Sequence, residues 1–182
     1  MKTTRDLVLL SLLIALSIVL RGVEALIPNP LPWLRIGLAN IMTLVAIMLF
    51  GLKAGLLLTV LRTLIASLLF GSFLSPTFFL SFFAGIASTL VMGAALRWGG
   101  AFFSPVGVSA LGGFVHNLTQ LFVAYVLIIH HAEIFYLFPP LAILGVITGF
   151  FNGWIAFVLH DHLHAQTARL FPHPAPVSEE CE

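Results

Sequence analysis

"LVLLSLLIALSIVL", residues 7–20, runs without a single charge, and its reading decides the fold. Lys2 and Arg5 precede it, so the segment has the basic start and apolar stretch of a secretory signal peptide. No small-residue cleavage site follows it. Arg21 and Glu24 come next, and the rest of the chain brings one apolar run after another. The stretch is therefore expected to be the first span of a polytopic membrane protein.

Composition points the same way. The chain has 182 residues, 60% of them hydrophobic and 8% charged, with a mean hydropathy of +1.11. A soluble domain carries about 25% charged residues, so this chain has too few to clothe a water-facing surface. The expected class is all-α, one compact bundle of transmembrane helices. Barrel strands alternate in polarity, and these continuously apolar runs do not. A net charge of +1 with no basic run gives no handle for nucleic acid. Cys181 is the single cysteine, which excludes a disulfide framework and a cysteine metal cluster.

Six spans are predicted, at about residues 7–27, 36–50, 54–70, 77–96, 105–130 and 141–159. "PNPLPW" (residues 28–33) breaks the first pair, "GLK" is a tight turn, and "GSFLSP" leads into the fourth span. The bundle is assigned to residues 1–165, and residues 166–182, ending "FPHPAPVSEECE", to a disordered cytoplasmic tail. Fifteen residues rise only about 22 Å against a hydrocarbon core of about 30 Å. The short second span therefore suits a cavity at one end of the bundle. With the N-terminus inside, Lys2, Arg5, Lys53, Arg97 and Arg169 face the cytoplasm and only Arg21 and Arg35 face out. That asymmetry fits the positive-inside rule and places both termini in the cytoplasm.

Polar residues inside such spans are costly, and they are the candidates for function. A charged side chain at the bilayer centre costs about 2.5–3.5 kcal/mol on insertion scales. Arg62 sits mid-span in "LLLTVLRTLIASLLF" with Thr59, Thr63 and Ala66 around it. Glu24 is the acidic residue within a span, so a structural Arg62–Glu24 ion pair is one expectation and a site held open by that pair another. In "GGFVHNLTQLF", His116 and Asn117 lie four and three residues before Gln120, on one helical face. Interhelical hydrogen bonding is the structural reading of these three, and a shared polar pocket with Asn40 and Arg62 is the functional one. Arg35 stands at the mouth of the second span, where it either snorkels to the headgroups or offers a planar fork of donors to carboxylate or phosphate. Arg21, Arg35 and Arg62 against Glu24 leave the outer half net positive, which favours an anionic ligand.

Gly145, Gly149 and Gly153 recur every fourth residue in the sixth span, and Gly85 and Gly93 mark the fourth. Such spacing lets membrane helices approach closely. "HDHLH" puts only His160 and His164 on one face, so it is read as a helix end rather than a metal site.

"LRIGLANIMTLVAIMLFG" (34–51), "LRTLIASLLFGSFLSPTFFLSFFAG" (61–85) and "GVSALGGFVHNLTQLFVAY" (107–125) resemble the small bacterial membrane family called the Gx transporter family, also known as heptaprenyl diphosphate synthase component I. The resemblance spans about residues 7–160. Its architecture is similar to the S components of energy-coupling-factor (ECF) transporters, which capture a vitamin or precursor from outside the cell. The resemblance implies a bacterial inner-membrane protein with membrane lipid and a small-molecule substrate as partners. It further implies either a coupling transmembrane subunit with ATPases, or a prenyl synthase or redox subunit that this chain would serve as a non-catalytic accessory. It implies that the ligand lies under the loop between the first two spans, near Arg35. No cofactor is expected. Prenyl chain elongation needs clustered aspartates to hold magnesium on a diphosphate, and this chain has only Asp6 and Asp161, far apart.

Overall fold

The computed structural model describes residues 4–26, 37–99 and 104–170, with side chains described as far as Glu24 in the first helix and His162 in the last. Within them the chain is helical, with no strand. α1 is Thr4–Leu26, α2 Ala39–Phe50, α3 Leu52–Leu69, α4 Pro76–Trp98, α5 Pro105–Ala124 and α6 Phe138–Leu170. Five helical stretches are long and apolar enough to cross a membrane, and α2 is a shorter apolar helix. The chain is thus a multi-pass helical membrane protein.

The helix starts follow local chemistry. Ser75 and Ser104 each precede a proline, and each side chain caps its helix by accepting from the amide three residues on, Phe78 N at 3.3 Å and Gly107 N at 3.2 Å. The following proline occupies a first-turn position whose missing N–H has no helical partner in any case. Pro139 and Pro140 fit the first turn of α6 for the same reason, so α6 begins at Phe138, three residues before the expected start. Its far end runs to Leu170, so the boundary drawn at residue 166 falls inside a helix. The tail from residue 171 lies outside the described residues. α5 also ends early, at Ala124, and a π-helical turn, Tyr125–Ile129, carries the chain on to His130 at φ +52°.

Between α2 and α3 the reversal is made by Gly51 alone, at φ 86° and ψ 176°, while Leu52 and Lys53 of the expected "GLK" turn already belong to α3. That backbone region is essentially reserved for glycine. Gly51→Ala is therefore expected to cost about 1–3 kcal/mol, although a Cβ there meets nothing within 4 Å. Thermal unfolding of the purified variant checks it, and an unchanged midpoint would refute the strain argument.

α2 is the centre of the molecule. Residues 39–47 are all buried, and the helix packs against α1, α3, α4 and α6. Twelve residues rise about 18 Å, little more than half of a hydrocarbon core. Its N-terminus consequently starts deep inside the bundle, leaving its neighbours to enclose the space beyond. Leu44, Val45, Leu58, Met92, Val108 and Ala156 form the apolar core around it. A hydroxyl ladder crosses the same region, with Thr43 to Thr59 at 3.4 Å, Thr59 to Thr89 at 2.9 Å and Thr89 to the Gly85 carbonyl at 2.7 Å.

In lipid, helices gain little by hiding apolar surface from one another, so close packing carries the association. α5 and α6 show it most clearly. An added Cβ on Gly145 would fall 2.7 Å from the Gly113 carbonyl oxygen, and one on Gly153 would fall 2.8 Å from Val106 Cα. In α4, Gly85 lies against Thr59 and Arg62, and Gly93 against Leu52. The outward faces stay apolar, with Leu12, Val19, Phe150, Phe151 and Trp154 among the exposed side chains.

Candidate functional site

Because α2 begins part-way through the bundle, polar groups from five helices meet beyond its first turn. A cavity there is lined by Arg21 and Glu24 of α1, Gly37 before α2, Ala39 and Asn40 of α2, Arg62, Thr63 and Ala66 of α3, Ser81 of α4 and His116 of α5. Its interior admits the centres of water-sized molecules over about 30 Å³, room for about two waters at ~10–15 Å³ each.

The two buried charges are held separately. Glu24 Oε1 accepts a hydrogen bond from the Gly37 amide, and the Gly37 carbonyl accepts from Asn152 Nδ2 of α6 at 3.1 Å. Gly37 stands at φ +79°, and a Cβ there would come 3.3 Å from Asn40 Nδ2. The entry to α2 is thereby fastened to α1 on one side and α6 on the other. Arg62 Nη2 donates to Asn40 Oδ1 at 2.8 Å, while Nη1 is buried without a hydrogen-bond partner. Glycine at position 85 leaves room for this guanidinium, since a Cβ there would sit 3.8 Å from Nη2. The expected Arg62–Glu24 ion pair does not form. Glutamate is engaged by a backbone amide and arginine by an amide side chain, so the two share a cavity without touching.

His116 keeps Nδ1 buried and without a hydrogen-bond partner. An unsatisfied buried donor or acceptor forfeits about 1–3 kcal/mol. His116 and Arg62 both line the cavity. Ser81 donates to the Thr77 carbonyl at 2.9 Å, which leaves its oxygen able to accept.

Of the residues singled out from sequence, Glu24, Asn40, Arg62 and His116 come together here. Asn117 turns away from it and donates to the Leu141 carbonyl at 2.9 Å, bridging α5 to α6. Asn117 does line a smaller neighbouring void with His116, Asn40, Ser109, Thr148 and Asn152. Gln120 is buried but lines neither space. Arg35 and the "PNPLPW" loop lie outside the described residues, as does the side chain of His164. Sequence reasoning counted Arg21 only for its charge and passed over Ser81, Gly37 and Asn152. For Asn152 there was a signal, a lone amide inside "VITGFFNGWIAFV".

The S component of a bacterial ECF transporter, in a solved structure, has the same fold. The two align with a TM-score of 0.62 over 93% of this chain and 98% of the other, at 18% identity. No curated protein matches the chain by sequence. A family model described as heptaprenyl diphosphate synthase component I matches residues 13–159. That match covers most of the bundle and all the described residues around the cavity, and the chain belongs to the heptaprenyl diphosphate synthase component I family.

Proposed function

We propose that the chain is the substrate-binding membrane subunit of a transporter, taking up a small, at least partly anionic precursor of vitamin, isoprenoid, quinone or flavin type. One observation carries the reading: Arg62 is buried mid-span with Nη1 unpartnered, in a polar cavity at the start of a half-length helix. Burying that charge costs about 2.5–3.5 kcal/mol, and a single hydrogen bond to Asn40 offsets only part of it. An anionic ligand offsets the rest. With the N-terminus in the cytoplasm of a bacterial inner membrane, the cavity lies in the outer half of the bundle, open to capture from outside. The S-component fold supports this reading. Energy would come from a coupling transmembrane subunit and ATPases, because the chain carries no nucleotide-binding loop of its own.

The family's description favours a second reading, an accessory membrane subunit of a prenyl diphosphate synthase or of quinone- or flavin-linked electron transfer. With only Asp6 and Asp161 as aspartates, the chain would serve such an enzyme without doing its chemistry. Gentle purification from the native membrane, followed by mass spectrometry of everything retained, separates the two. A small anion or ATPase subunits support the transporter reading. A prenyl lipid or quinone retained with a soluble synthase or redox subunit replaces it with the accessory one.

A further inference from the structure

One end of the bundle carries an apolar surface that the cavity does not account for. The chain has no charged residue between Arg62 and Arg97, a stretch that includes the end of α3, nearly all of α4 and the turn joining them. In that turn Leu68, Leu69, Phe70, Phe73 and Leu74 are each at least 44% exposed. Its aromatic side chains are all phenylalanine. Phe73 packs against Phe78, which stacks on Phe82, with ring centres 5.3 and 5.6 Å apart. The opposite end of the same hairpin is different, for Lys53 and Arg97 stand there beside an exposed Trp98. The connection from α5 to α6 differs as well, with His130, His131, Glu133 and Tyr136. Charge, tryptophan and tyrosine mark the headgroup layer, and the α3–α4 turn has none of them.

The length of the hairpin gives the reason. Leu69 lies sixteen residues beyond Lys53 along α3, about 24 Å, and Pro76 lies twenty-one before Arg97 along α4, about 32 Å. A hydrocarbon core is about 30 Å thick, and a bilayer with its headgroups about 40–45 Å. With Lys53 and Arg97 held in one headgroup layer, the turn cannot pass through the other. Irregular backbone is barred from lipid by its unsatisfied polar groups, and this turn closes its own. The Phe70 amide donates to the Ala66 carbonyl at 3.0 Å, Gly71 to Leu68 at 3.4 Å, Ser72 to Ser67 at 2.9 Å and Ser75 to Ser72 at 3.2 Å. The Ser67 and Ser75 hydroxyls donate to the carbonyls of Leu64 and Ser72. Gly71 and Leu74, at φ 64° and 59°, make the reversal tight enough for these bonds.

We propose that the α3–α4 turn is a lipid-embedded anchor, seated among the acyl chains at the edge of the hydrocarbon core. Its partner is the bilayer, rather than water or a second protein. The hairpin it anchors supplies Arg62, Thr63, Ala66 and Ser81 to the cavity wall, so lipid contact holds that wall in place. The anchor is independent of what the cavity binds.

The test uses the full chain with Cys181→Ser in lipid nanodiscs, carrying one introduced cysteine labelled with bimane. Leu69→Cys and Leu74→Cys probe the turn, and His131→Cys probes the α5–α6 connection at the same end of the bundle. Lipids brominated along the acyl chains quench fluorophores in the hydrocarbon, and iodide quenches those in water. Labels at 69 and 74 are expected to be quenched by the brominated lipid. Iodide should quench them at least about tenfold less than the label at 131, because a charged quencher is excluded from hydrocarbon. Iodide quenching equal to that at 131 places the turn in water and overturns the proposal. Quenching by neither reagent shows the turn covered by protein and overturns it equally. Labelled chains are read only where their unfolding midpoint matches the parent's, and the unsubstituted chain gives a second measurement. Lipids with a photoactivated diazirine in the acyl chain should crosslink to residues 68–74 and not to 130–133. Crosslinking absent from the turn but present on the exposed Phe150 and Phe151 of α6 overturns the proposal.

Discussion

Arg62→Ala protein is expected to insert and fold but to lose its ligand. Two opposing terms decide the folding half. Removing a mid-span arginine favours insertion by about 2.5–3.5 kcal/mol. Losing its hydrogen bond to Asn40 costs about 1.5–3 kcal/mol, the range for a bond to a charged group. The first term exceeds the second by about 1 kcal/mol, so the variant should fold with its stability unchanged or slightly raised. Binding has no such compensation. A charge-assisted bond from Nη1 to the ligand is worth about 1.5–3 kcal/mol, so affinity should fall about 100-fold and the ligand should vanish from the purified protein. Thermal unfolding and mass spectrometry of retained small molecules read the two halves separately. An Arg62→Ala chain that fails to fold, and folds again when Glu24→Ala is added, would make the two charges a structural couple despite their separate partners, and the pocket reading would be withdrawn.

Gly149→Ala should be among the most destabilising single-methyl changes in the molecule. The new Cβ would lie 2.6 Å from the Ser109 carbonyl oxygen and 2.7 Å from Ala110 Cα. Both are backbone atoms of α5, so no side chain can swing aside and the helices must part. Overpacking usually costs 1–3 kcal/mol. Here parting α5 from α6 also loosens the contacts at Gly145 and Gly153, so about 3 kcal/mol is expected. Gly22→Ala is the control. Its Cβ would meet the tip of the Phe70 ring at 3.2 Å, which can yield, and alanine gains about 1 kcal/mol of helix propensity over glycine. Unfolding midpoints of both variants in detergent should therefore move in different directions. Equal losses would show that general glycine replacement, rather than the α5–α6 approach, is being measured.

Much of this was legible in the chain. Apolar runs bounded by Ser-Pro, glycine and proline marked all six helices, because backbone hydrogen bonds in lipid must be satisfied within the helix and only continuous apolar segments survive there. The cost of Arg62 was equally visible, and so were Glu24, Asn40 and His116, since a polar group in an apolar run stands out against its neighbours. The shortness of the second span already suggested a cavity at one end.

What sequence periodicity could not supply was the rotation and offset of each helix against the others. Residues 116, 117 and 120 share one helical face by spacing, yet His116 lines the cavity and Asn117 reaches Leu141 of α6. A few tens of degrees of helix rotation separate those outcomes, and helical spacing carries no such information. The partner of Arg62 was decided in the same way. Charge alone pairs it with Glu24, but the entry to α2 places the Gly37 amide on the glutamate and Asn40 on the arginine. Asn152 lies 115 residues from Gly37, which it fastens, a distance no local pattern bridges. The chain by itself determined the six apolar α-helices of the described residues and which polar residues are costly inside them. Only the tertiary structure decided which of them meet, because contacts between helices depend on how rigid rods cross, and that is set by close packing at glycines such as Gly113 and Gly149 rather than by the period of any one helix.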